Sequence, residues 1–295
     1  MKTIIFGKQG FVGRNLNMGC ICPTKYECDL LDYESVRQFF SIFSSSEKIK
    51  IINLAAKVAG ATYNVNHNIE MLYYNSLMVL NIIRAIKEFK LNVYYLYISS
   101  ICSYDNSNIM SEDLFFNGNP SANNFGYGIA KKLGVSALQA LKYDMPNFKF
   151  GVLIPTNMYG EYDEKRPEYS HVIPALYYKM RTNPESINVF GNANNVRNFL
   201  YVRNMCDVIS MFARNEIEEI CNVSSDESLS IKRITEIIAD ITKYKGELQF
   251  NFDGRADIRN ISNDKLKSVY KQHGENLSFT RFATGLILSS DYYSK

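Results

Sequence analysis

Lys2-Thr3-Ile4-Ile5-Phe6-Gly7-Lys8-Gln9-Gly10-Phe11-Val12-Gly13 opens the chain, a short β-branched run that breaks into three evenly spaced glycines. The run reads as a buried strand, and G-x-x-G-x-x-G between a strand and a helical stretch reads as a phosphate-binding turn. Gly7 permits the sharp turn, Gly10 lets the backbone approach a pyrophosphate, and Gly13 lets helix and strand pack closely. The first N–H groups of the helix, around Phe11 and Val12, lack partners within it and suit an anion. A dinucleotide cofactor is therefore expected. Lys8, Arg14 and Lys25 suit a 2′-phosphate, whereas Glu27 and Asp29 fall near the ~20-residue offset of an acid that binds a ribose hydroxyl. The span from Gly7 to Asp32 is short for a strand-helix-strand unit of ~30 residues, so the first helix or the second strand must be trimmed.

Outward from this turn, buried-strand patterns lie at Lys50–Leu54, Val93–Ser99, Lys149–Ile154 and Cys221–Val223. Apolar residues at spacings of three and four predict helices over Asn68–Lys90, Ile129–Tyr143 and Ile231–Lys243. Strands alternating with helices predict an α/β fold, a Rossmann-like doubly wound parallel sheet with a smaller C-terminal α/β substrate lobe. The expected division assigns 1–157 and 196–222 to the dinucleotide-binding domain, and 158–195 and 223–295 to the substrate-binding lobe. Asn157–Asn195, rich in Pro, Asn, Tyr and Glu, reads as a looped substrate region.

A net charge of +3 supplies no concentrated basic field, so nucleic acid is not an expected partner. No apolar run approaches the ~20 residues of a membrane span, and the opening is too soon polar for a signal peptide. A cytoplasmic protein with free thiols is expected. Cys20, Cys22 and Cys28 form C-x-C-x5-C without a nearby histidine or a second pair, and no metal is expected.

Tyr127-Gly128-Ile129-Ala130-Lys131 puts a phenol and an ammonium four residues apart on one helix face. A cation there is expected to draw the phenol's pKa down from ~10, making Tyr127 a general acid with Lys131 as its partner. Ser100 ends an apolar strand, where ligands bind in open α/β sheets, and suits a hydrogen bond to a carbonyl oxygen.

These residues resemble the extended short-chain dehydrogenase/reductases and, within them, the GDP-L-fucose synthase family, which joins 3,5-epimerisation to 4-reduction. The resemblance runs through the glycine turn, Leu54-Ala55-Ala56-Lys57-Val58-Ala59-Gly60, Asn75, Ser100-Ile101-Cys102-Ser103-Tyr104, and Tyr127 to Lys131. It continues through Pro155-Thr156-Asn157-Met158-Tyr159-Gly160, Ser170-His171-Val172-Ile173-Pro174-Ala175-Leu176, and Arg197-Asn198-Phe199-Leu200-Tyr201-Val202. It implies NADPH, with NADH as the alternative, held by Gly7, Gly10, Phe11, Val12, Gly13, Asp29, Leu54, Ala55, Ala56, Lys57, Asn75, Tyr127, Lys131, Pro155, Asn157 and His171. It implies Cys102 and His171 as the acid/base pair of epimerisation, and Asn157, Val172, Lys179, Phe190 and Arg197 as contacts to the substrate. That substrate is a GDP-linked 4-keto-6-deoxy sugar, hexose or heptose, used for surface glycans. A homodimer built on the helices at Asn68–Lys90 and Ile129–Tyr143 is also implied. Gln9 stands in place of the family's arginine, Lys179 of an arginine, Phe190 of a tryptophan and Arg203-Asn204 of an acidic pair, and Asp253–Arg259 departs from its basic segment. The alternatives are a C4 reductase acting on a pre-epimerised heptose and a non-catalytic cofactor-binding scaffold.

Overall fold

The computed structural model describes residues 1–105, 109–164, 166, 170–182 and 184–294. In chain order its first half runs β1 (Lys2–Phe6), α1 (Phe11–Asn15), α2 (Tyr33–Phe40), β2 (Lys48–Asn53), α3 (Ala61–Asn66), α4 (Asn68–Glu88), β3 (Asn92–Ile98), β4 (Ile109–Met110) and α5 (Phe125–Asp144). Next come β5 (Lys149–Pro155), β6 (Asn157–Tyr159), α6 (Val172–Arg181), β7 (Ser186–Asn192), β8 (Val196–Tyr201), α7 (Val202–Asn215) and β9 (Ile220–Val223). The remainder is β10 (Ser228–Ser230), α8 (Ile231–Thr242), β11 (Glu247–Asn251), β12 (Asn260–Ile261), α9 (Asp264–Gln272), α10 (Phe282–Leu288) and α11 (Ser290–Tyr293).

The central sheet is parallel, in the order β1-β2-β3-β5-β9. After their first one or two residues, β2, β3 and β5 are buried continuously, as a parallel sheet covered on both faces requires. Alternation then divides the side chains. Ile4, Phe6, Ile49, Ile51, Tyr95 and Tyr97 meet Val36 and Phe40 of α2, Val79 and Ile82 of α4, and Val135 and Leu138 of α5. Ile5, Ile52, Tyr94 and Leu96 meet Met205, Ile209 and Phe212 of α7 with Leu266 and Val269 of α9. The buried tyrosines of β3 still place their polar ends. Tyr94 donates to the Ile217 carbonyl at 2.9 Å, and Tyr95 accepts from Asn53 Nδ2 at 2.7 Å.

The shortage of residues after the glycine turn is met by trimming both elements. α1 has five residues, and the second strand shrinks to Ile21, which makes one parallel bridge with Ile4. Ile21 lies on one side of β1 and β2 on the other, so the strand order reverses at β1, where open sheets bind ligands.

A third apolar cluster joins Tyr159, Ile173, Leu176, Val189, Phe199, Ile234 and Phe282 beyond the sheet. It is built on β6, β8 and β10, on the β7-β11 pair and on α6, α8 and α10. The stretch read as a loop over Asn157–Asn195 thus holds β6, α6 and β7. Pro174 enters α6 within its first turn, where the missing N–H costs no bond. β7 alternates exposed and buried residues, the period of a strand with one covered face.

Candidate active site

Gly7 adopts a positive φ of 79°, and a Cβ there would stand 2.6 Å from the Ala55 nitrogen. A Cβ on Gly13 would stand 2.5 Å from the Gly7 and Lys8 carbonyl oxygens. The turn thus brings β1, α1 and the end of β2 closer than side chains allow, and this bare backbone cradle fits a pyrophosphate. Two cavities meet there. A cleft of about 540 Å³ reaches from Gly7, Gly10, Phe11, Val12 and Gly13 to Ser100, Cys102, Tyr127, Lys131, Asn157 and His171. A cavity of about 240 Å³ lies outside the same turn, between Lys8, Thr24, Lys25, Asp29 and Ala55.

Ser100 follows β3 and caps a 3-10 turn over Ile101–Ser103, its Oγ accepting from Cys102 N at 3.1 Å. That leaves its O–H free to donate. Two glycines aim Tyr127. A Cβ on Gly126 would lie 1.8 Å from the Asn68 carbonyl oxygen, and one on Gly128 would lie 2.3 Å from that of Cys102. Their absence lets α5 start against α4 and the turn after β3, so the phenol stands in the same cleft as Ser100.

The electrostatics differ from the sequence expectation. Burial pushes the Tyr127 phenol above its ordinary value, Cys102 adds to the rise, and Ser100 only partly opposes it. Lys131 does not offset this. Its Nζ donates to the Ile98 carbonyl at 2.9 Å and lies 5.0 Å from the Tyr97 ring centroid and 5.7 Å from that of Tyr127. Desolvation brings its own pKa down to about 8. Removing both groups from water disfavours ammonium and phenolate alike, so Tyr127 holds its proton and is an acid, not a base.

Cys102 is also held as a thiol. Burial raises it, against the Ser100 hydrogen bond and the charge of Arg259. His171, at the N-cap of α6, has its Nδ1 3.4 Å from Asp163 Oδ1. Burial pulls the imidazole down, but the bond and charge of Asp163, with the charge of Glu164, more than reverse this and leave it above its ordinary value. Asp163 also takes the Glu164 N–H at 2.8 Å, and its second oxygen is buried without a hydrogen-bond partner among the described residues. Asp163→Asn therefore lowers the His171 pKa, measurable by NMR titration of the ring; an unchanged or higher value would mean that Asp163 does not hold the charge.

A model of the NAD dependent epimerase/dehydratase family matches residues 3–224, well over half the chain. The chain belongs to the NAD dependent epimerase/dehydratase family. It is 30% identical over 292 residues to GDP-L-fucose synthase of Dictyostelium discoideum, covering 90% of this chain and 88% of that protein. GDP-L-colitose synthase of Yersinia pseudotuberculosis is 26% identical over 266 residues, 85% of each chain. In fold it is similar to a GDP-6-OMe-4-keto-L-xylo-heptose reductase from C. jejuni, with a TM-score of 0.85, 19% identity and coverage of 99% and 97%.

As a member of the epimerase/dehydratase family the chain is an NAD(P)-dependent enzyme, and its expected residues fall into three groups. Ser100, Cys102, Tyr127, Lys131 and His171 face one cleft with Leu54, Ala56, Pro155 and Asn157, while Ala55 and Asp29 face the second cavity. Lys57 and Asn75 line neither cavity. Asn75 Oδ1 accepts from Lys57 N at 3.0 Å and its Nδ2 donates to Lys57 O at 3.1 Å, while the Lys57 ammonium pairs with Glu70. Val172, Lys179, Phe190 and Arg197 are not among the residues lining the cleft. Phe190 is 98% exposed on β7, and Arg197 is tied at 2.7 Å to Asp257, which also binds Arg259. Asp163, Asn64 and Asn124 line the cleft although no motif marked them. Asn64 Nδ2 donates to Asn124 Oδ1 at 2.8 Å, joining α3 to the start of α5.

Proposed function

We propose that this enzyme uses NADPH to reduce the C4 ketone of a GDP-linked 4-keto-6-deoxy sugar, after epimerising C3, C5 or both, for surface-glycan assembly. The observation that carries the proposal is the convergence of Ser100, Tyr127, Lys131, Cys102 and His171 on one cleft. The glycine turn, Leu54, Ala56 and Pro155 hold the cofactor, with Asp29 and Ala55 at its adenosine end. Lys8 and Lys25 beside Asp29 favour the 2′-phosphate form. NADPH supplies hydride to C4. Tyr127 donates its phenolic proton to the C4 oxygen, Ser100 holds that oxygen, and the Lys131 ammonium holds the nicotinamide ribose.

The ketone acidifies the hydrogens on C3 and C5, so epimerisation needs a proton removed from one ring face and returned to the other. His171, backed by Asp163, is the acid. Cys102 becomes the base once it has lost its proton, a loss that Arg259 eases. Asn157 contacts the sugar, while Val172, Lys179, Phe190 and Arg197 lie along the diphosphate and base. The guanosine form is supported by the GDP-sugar synthases among the relatives, and mannose-derived hexose and heptose both suit the cleft chemistry. The protonated state of Cys102 favours a second reading, a C4 reductase acting on a sugar already epimerised.

Heavy water separates the two. Without NADPH, GDP-4-keto-6-deoxy-mannose takes up deuterium at C3 and C5 if the enzyme epimerises, and Cys102→Ser stops it; no uptake by the wild type leaves the reductase alone. Turnover should fall as pH rises through about 8, because Lys131, whose pKa is lowered, loses its charge there. The check is the pH profile of kcat, with a falling limb that moves upward in Lys131→Arg.

The protein is soluble in this reading and forms a homodimer through α4 and α5. The support is the apolar stripe of Ile69, Tyr73 and Leu80, spaced to share one face of α4 and exposed. Among the described residues no helix is long and apolar enough to cross a membrane. Sedimentation of Tyr73→Asp as a monomer supports that interface, and an unchanged dimer places it elsewhere.

A further inference from the structure

Cys20 and Cys22 flank Ile21, the residue that extends the sheet beside β1. Ile21 N donates to Thr3 O at 2.8 Å, and Ile5 N donates to Ile21 O at 2.9 Å. In an extended segment alternate side chains share a face, so both thiols turn one way and Ile21 the other. The two Sγ atoms stand 2.7 Å apart, a short closure from the ~2.05 Å of a disulfide. Both residues are half-buried, within reach of a small oxidant, and both lie outside the catalytic cleft. Cys28, Cys206 and Cys221, by contrast, are buried, which closes them to an oxidant.

The pair is also placed to matter. Directly after Cys22, the residues Pro23, Thr24 and Lys25 form one wall of the cavity whose other wall is Gly7, Lys8, Gln9 and Gly10. The charge of Lys8 acts on Cys20 itself.

We propose that Cys20 and Cys22 are a modification site that a hydroperoxide converts to an intrachain disulfide, reshaping the cavity beside the glycine turn. The Cys22 thiolate attacks the peroxide. An S–O bond forms, the O–O bond breaks, and the leaving oxygen takes up the proton that Cys22 released and departs as water or alcohol. Burial and the neighbouring thiol push the Cys20 thiol up to about 11, which suits it to the second step. Cys20 gives up its proton and attacks the sulfenic sulfur. The S–S bond forms, the S–O bond breaks, and hydroxide takes that proton and leaves as water. Two thiols lose two electrons and one peroxide gains them.

The effect on cofactor binding rests on the reading of that cavity as the adenosine end of the NADPH site, and the two parts are tested separately. Trypsin cuts after Arg14 and Lys25, and the peptide between them holds Cys20 and Cys22 and no other cysteine. After hydrogen peroxide, alkylation and digestion, this peptide should appear two hydrogens lighter and unalkylated. Two alkylated thiols, a sulfinic acid, or a link to another cysteine would overturn the site. NADPH titration of the intact enzyme should then show a ~5-fold or larger change in Kd on oxidation, reversed by dithiothreitol and absent in Cys20→Ser. An oxidised peptide with unchanged Kd would overturn the coupling. Failure of the reduced wild type to bind NADPH would instead overturn the cofactor reading and leave the disulfide standing.

Discussion

Tyr127→Phe lowers kcat by ~10²–10⁴-fold, the usual loss when a positioned general acid is removed. The phenol stands with Ser100 in the cleft, and burial keeps its proton in place. The ring remains, so packing on α5 is preserved and the melting temperature should shift little. NADPH affinity should also hold, because the glycine turn is untouched. A variant that keeps more than a tenth of wild-type turnover would assign the proton to another donor. Single-turnover kinetics with saturating cofactor make the measurement.

Gly128→Ala is the second large effect, and it acts at a distance from the reacting atoms. Its new Cβ would stand 2.3 Å from the Cys102 carbonyl oxygen and 2.7 Å from Pro120. A backbone carbonyl cannot swing aside as a flexible side chain can, so α5 must withdraw from the turn that carries Ser100 and Cys102. Overpacking of this kind costs ~1–3 kcal/mol. The displacement also separates the phenol from Ser100, and misplacement by ~1 Å costs on the order of 10²-fold in rate. Loss of turnover well beyond the loss of stability is the expected result, read from kcat and thermal denaturation of the same samples. Gly19→Ala is the control, since nothing lies within 4 Å of its new Cβ and the variant should match the wild type in both.

The same glycines explain one misreading of the sequence. Apolar spacing places the helix start at Ile129, whereas α5 begins at Phe125, four residues earlier and across Gly126 and Gly128, which are poor helix formers. Propensity lost to tertiary packing there, because close approach to Asn68 and Cys102 needs residues without a Cβ. The parallel sheet was legible because a strand buried on both faces is a continuous apolar run, and β2, β3 and β5 are such runs. The trimmed unit after β1 was legible from chain length alone.

The candidate catalytic residues were legible as types at a spacing, but their charge states were not. Those depend on burial, which raises the Tyr127 phenol where a fall was expected. Asp163 carried no local signal, because no motif marks it and its partner His171 lies eight positions away. Lys179, Phe190 and Arg197 rest on resemblance, and their distance from the cleft walls reflects where β7, α6 and β8 lie in the apolar cluster beyond the sheet.

The most direct test of C4 reduction uses NADPH carrying deuterium at its transferable position, mixed with GDP-4-keto-6-deoxy-mannose and followed by absorbance and by NMR of the product. The account predicts one deuterium on C4 of the sugar for each cofactor oxidised, with a new C4 hydroxyl. Oxidised cofactor with an unchanged sugar, or deuterium at any other carbon, would contradict it.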